Sequence, residues 1–150
     1  MELDGLSLEV LLAPTRSRGR TLRNLTVNVF HPFELLPGAC SHGTFQWDPD
    51  VDDAREAPLT AAGAVTAYAS ERREGWVVFL EGHGDTLDPH RSVRSPRGTL
   101  ALAALLASQR WHVAFHYRQL LDFLRERDIP VASPFPLDRL DGLDLPAGLY

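Results

Sequence analysis

The strongest hydrophobic pattern in the chain begins at Thr99 and runs to about Arg127. Wound at about 3.6 residues per turn, Leu105, Gln109, His112, His116, Leu120 and Phe123 fall within one narrow arc, with Gln119 beside them. Arg110, Arg118 and Arg125 fall on the opposite side. A helix of this extent is roughly 44 Å long. Trp111, Val113, Phe115 and Tyr117 also alternate like a strand, but the length and the apolar run on both sides predict helix.

Three weaker patterns precede it. Leu6 to Leu12 is a short apolar patch that suits either a helix or a strand. Thr21 is a plausible N-cap for a helix carrying Leu22, Leu25 and Val29 at helical spacing. Pro32 is expected to end or kink that helix, because it has no N–H for the Asn28 carbonyl and crowds it. His31, just before the proline, is biased away from helical geometry. Thr60 opens a third candidate helix reaching Glu81 or Gly82, with Val65, Tyr68, Trp76, Phe79 and His83 as its stripe. Here a rival stands: Arg72 to Gly75 reads as a turn and Trp76 to Leu80 as a buried strand, and propensity leans slightly to the strand.

The intervening stretches read as loops. Residues 37–58 carry Pro, Gly and the acidic run Asp48, Asp50, Asp52 and Asp53, which lacks the glycine and closing glutamate of an EF-hand. Gly82 to Gly98 is rich in Gly, Asp, Pro and Ser. Residues 130–150 are Pro-rich and aperiodic, an expected extended tail. No internal repeat is found, and 150 residues suit one domain with one sizeable core.

Composition narrows the function classes. The net charge of −5 and the absence of a basic stripe argue against a nucleic-acid partner. No apolar run is long enough to span a membrane and the start lacks a signal pattern, so a cytoplasmic protein is expected. All the basic residues are Arg, which excludes Schiff-base and P-loop lysine chemistry. Cys40 is the single cysteine, so no internal disulfide can form. It reads more simply as a loop thiol than as a nucleophile in a set with His83 and Asp85.

The candidate chemistry lies in His112-Val-Ala-Phe-His116-Tyr-Arg-Gln119-Leu120. Two histidines four residues apart on a helix stack on one face and supply two nitrogen ligands for zinc, nickel or iron. A metal needs a third ligand, for which His31, His42, His83, Asp85 and His90 are candidates. The plain rival is a pair of core histidines satisfied by hydrogen bonds. A zincin helix is excluded, because Val113 stands where its glutamate would be.

This segment, followed by Asp128-Ile-Pro130, resembles the last long helix of the DinB-like proteins. Arg20-Thr-Leu-Arg-Asn-Leu25, Ser95-Pro-Arg-Gly-Thr99-Leu and Leu140-Asp-Gly-Leu-Asp-Leu-Pro146 are similar to further stretches of that family. The resemblance covers about residues 19–148. It implies an all-α fold, an up-down four-helix bundle, here with the first helix short or missing. It moves the Trp76 segment to helix. It implies a divalent transition metal (zinc, nickel or iron) held by His112, His116 and a third group. The family's first histidine usually falls where this chain has Asn28, and His31 lies about one turn later, so both are carried as candidates. Gln119 is expected to orient a ligand. The implied activities are thiol-dependent S-transfer or isomerisation, or metal-dependent hydrolysis, with a small-molecule substrate or a low-molecular-weight thiol as partner. The alternative is a metal-free bundle that binds a small molecule or pairs with itself as a homodimer.

Overall fold

The computed structural model describes residues 6–16, 19–48, 54–131, 140 and 142–148. Helix α1 (Leu8–Leu12) is followed by α2 (Leu22–His42) and α3 (Ala62–His83). A single 3-10 turn (Gly84–Thr86) leads to strands β1 (Ser92–Ser95) and β2 (Gly98–Ala101), and then to α4 (Leu102–Arg125). No helix among the described residues is long and apolar enough to cross a membrane. The acidic residues Asp50, Asp52 and Asp53 lie outside the described residues.

The all-α expectation is corrected by the hairpin. β1 and β2 pair antiparallel, with Ser92 opposite Ala101 and Ser95 opposite Gly98. The sequence of this stretch points to a loop because its apolar content is low: Val93 is the only fully buried side chain in it. The turn is built by Pro96, whose ring presets φ, and by Gly98 at φ 102°, a region that favours glycine. The hairpin also moves the start of α4 from Thr99 to Leu102. The first turn of that helix has no side-chain cap; instead Leu102 and Ala103 donate their N–H groups to the carbonyls of Arg91 and Pro89, at 2.9 and 3.0 Å. Capping by backbone from a distant turn leaves no mark at the cap residue.

Helix α2 starts where the Thr21 cap predicts, the hydroxyl accepting from the Asn24 N–H at 3.0 Å. It does not end at Pro32. It continues through Pro32 and Pro37 to His42, so residues 37–42 are helix rather than loop. Burial outweighs propensity here: Leu25, Val27, Leu36 and Ala39 are all buried on either side of Pro32. The helix stops at Gly43, in the left-handed region at φ 68°. A methyl group at Gly43 would lie 2.8 Å from the Ser92 carbonyl oxygen, so this close approach requires glycine. Beyond it, Phe45 donates to the Arg94 carbonyl at 2.8 Å and Arg94 to the Gly43 carbonyl at 2.9 Å, which ties the exit of α2 to β1.

Two apolar clusters hold these elements. One joins Leu11, Leu22, Val27, Val65, Leu120 and Phe123. The other joins Leu36, Ala39, Phe45, Val93, Leu102 and Leu105, with Trp76 and Phe79 of α3 against it. Helix α2 begins in the first cluster and ends in the second, and α4 runs the other way. Between the two clusters polar residues join the buried ones: Asn28 and His31 on α2, His116 and Gln119 on α4. This polar waist is where the candidate site lies.

Candidate metal and ligand site

Pro32 shapes the waist first. In a regular helix the N–H of residue 32 would bond the carbonyl of Asn28, and proline has none to give. That carbonyl instead accepts from Nε2 of His112 across the gap, at 3.1 Å. A helix defect on α2 thus supplies the anchor for a side chain on α4. The bond fixes the tautomer: the proton is on Nε2 and the lone pair is on Nδ1.

One turn on, His116 donates from Nδ1 to Oε1 of Gln119 at 2.6 Å, which leaves its lone pair on Nε2. The two rings meet edge to face with centroids 4.6 Å apart. Phe115 packs against His116 and Trp47 against His112, at 5.4 and 5.8 Å. Burial, then the neighbouring His116, pushes the His112 pKa down to about 4, against a smaller upward pull from the Asn28 carbonyl. Burial likewise lowers the His116 pKa, partly offset by Gln119. At neutral pH both imidazoles are therefore neutral, the form that binds metals.

The expected ligands do not all converge. His112, His116 and Gln119 come together as the helical spacing predicts. Asn28 joins them through its main chain, and its side-chain Oδ1 is buried with no hydrogen-bond partner. His31 is 2% exposed on the same helix, but it does not complete a set with the pair. Among the described residues no three His, Cys, Asp or Glu side chains are placed to share a metal. A third donor for the pair would have to be of another type, and Asn28 on the facing helix carries a buried amide oxygen that would make two nitrogens and one oxygen. The stranded Oδ1 fits such a use, since a buried acceptor without a donor is costly unless something binds it.

The Cys40 alternative fails on position. Cys40 is buried in the second apolar cluster, and that burial pushes its thiol pKa up, away from the reactive thiolate. His83 stacks on Phe79 and bonds its carbonyl at 3.1 Å.

A cleft of about 90 Å³ reaches His112 from the surface. One wall is a stripe of α4, Leu105, Ser108, Gln109 and His112, at spacings of three, four and seven residues. The facing wall is the hairpin, with Arg97 and Leu100, and Phe45 and Trp47 close it from the exit of α2. Gln109 was legible on the helical arc. Arg97 and Trp47 were not, because both stand in stretches read as loop. No family model, no curated protein and no solved structure matches this chain.

Proposed function

We propose that this chain is a divalent-metal-binding protein that acts on or with a small molecule, in line with the DinB-like resemblance of its last helix. The observation that carries the reading is an edge-to-face pair of neutral histidines whose tautomers are fixed from behind. Nδ1 of His112 and Nε2 of His116 are left with lone pairs, beside a residue whose amide oxygen has no partner. Outer hydrogen bonds of this kind are how proteins orient histidine ligands. Bound there, zinc, nickel or iron would supply Lewis acidity that lowers the pKa of a water or a thiol. Under this reading His112 and His116 bind with the Asn28 amide oxygen as third donor, the Asn28 main-chain carbonyl and Gln119 hold the two rings in orientation, and the cleft admits the small molecule or low-molecular-weight thiol. The working location is the cytoplasm.

A second reading has its own support. Both rings already have hydrogen-bond partners, and no third His, Cys, Asp or Glu joins them among the described residues. These features suit a metal-free module that binds a small molecule in the same cleft.

Metal analysis of protein purified without an affinity tag separates the two. The first reading expects near-stoichiometric zinc, nickel or iron, reduced to background in His112→Ala and His116→Ala. Background metal in the wild type, or equal metal in the variants, sinks it and leaves the module.

A further inference from the structure

We infer that the cleft beside His112 takes a short-chain carboxylate, with the anionic group on Arg97 and the carbon chain against Phe45 and Trp47. Among the described residues Arg97 is the only charged one that lines the cleft, and no carboxylate joins it there. Its guanidinium has no ion pair or hydrogen bond among the described residues, although the chain as a whole is acidic at −5. The hairpin fixes its position: the Arg97 N–H donates to Ser95 Oγ at 3.2 Å, and that hydroxyl donates to the Gly98 carbonyl at 2.8 Å. An arginine held by its backbone, with the side chain unpaired, is suited to grip a carboxylate through two parallel N–H bonds.

The remaining lining sets the rest of the ligand. Phe45, Trp47, Leu100 and Leu105 offer apolar contact, and Ser108 and Gln109 offer neutral hydrogen-bonding groups. His112 contributes the edge of its ring at the inner end of the stripe on α4. Size limits the chain: an apolar cavity of about 150 Å³ holds a benzene ring, so 90 Å³ suits a molecule nearer to propionate. The inference shares His112 with the metal reading but needs no metal.

The test is a titration of the full-length protein with sodium propionate, against sodium chloride of matched ionic strength. The readout is the Trp47 indole N–H resonance, assigned with Trp47→Phe. A saturable shift is expected with propionate and none with propionamide, its neutral isostere. Arg97→Gln, at an exposed turn, should fold normally, keep its metal content and weaken propionate by about tenfold or more, the usual scale for a charged hydrogen bond. Equal binding of propionamide, an unweakened Arg97→Gln, or no shift beyond the chloride control overturns the inference. Loss of metal in His116→Ala bears on the metal reading alone, so the two can fail separately.

Discussion

His112 makes the stability of the fold depend on pH. In the folded, metal-free protein its pKa is lowered to about 4, whereas in the unfolded chain it titrates near 6.5. Between those values the unfolded state binds a proton that the folded state refuses. Stability is therefore fully present above pH 6.5 and declines as pH falls towards 4. Allowing for partial exposure of the ring, the loss is roughly 2–3 kcal/mol. The lowered pKa of His116 adds in the same direction. Urea unfolding at pH 7 and pH 4.5, after chelation, should show the decline, and His112→Gln should lose a large part of it. An identical pH dependence in His112→Gln would mean that the ring is not buried neutral.

At the scale of elements, two backbone features place the site. Proline in a helix interior costs about 3 kcal/mol, yet Pro32 stands within α2 and frees the carbonyl that His112 uses. Pro32→Ala restores an N–H that competes for Asn28. The expected outcome is equal or higher thermal stability with His112 released from its Nε2–H tautomer, visible in imidazole 15N shifts. Unchanged shifts would show that the proline does not govern the histidine. Gly43 is the second feature. Gly43→Ala sets a Cβ against the Ser92 carbonyl in a backbone region alanine avoids. A loss of about 1–3 kcal/mol in denaturant unfolding is expected, together with a weakened link between Phe45 and β1.

Over the whole molecule, what could be read from the sequence divides along periodicity. Helix α4 is long and strongly patterned, and its inward face placed His112, His116 and Gln119 together. Helix α3 could be read only with the help of a resemblance, since Trp76 to Leu80 is as apt for a strand. The hairpin was hidden because Val93 is its one fully buried side chain, Leu100 only edges the second cluster, and backbone bonds to Gly43 and Phe45 tie it to the exit of α2. Half of the cleft went with it. The waist was hidden for another reason: two apolar clusters, not one core, are separated by polar residues from helices far apart in sequence. Nothing local to Asn28 announces that its carbonyl faces α4.

The exchange between Pro32 and His112 has an evolutionary reading. A carbonyl freed by proline and satisfied by a distant histidine ties two positions eighty residues apart. Neither is easily changed alone. Losing the histidine strands an acceptor, and losing the proline strands a donor. Among homologous chains, proline at position 32 and a hydrogen-bond donor at position 112 should therefore appear and disappear together. Independent variation at the two positions would show that water can replace either partner.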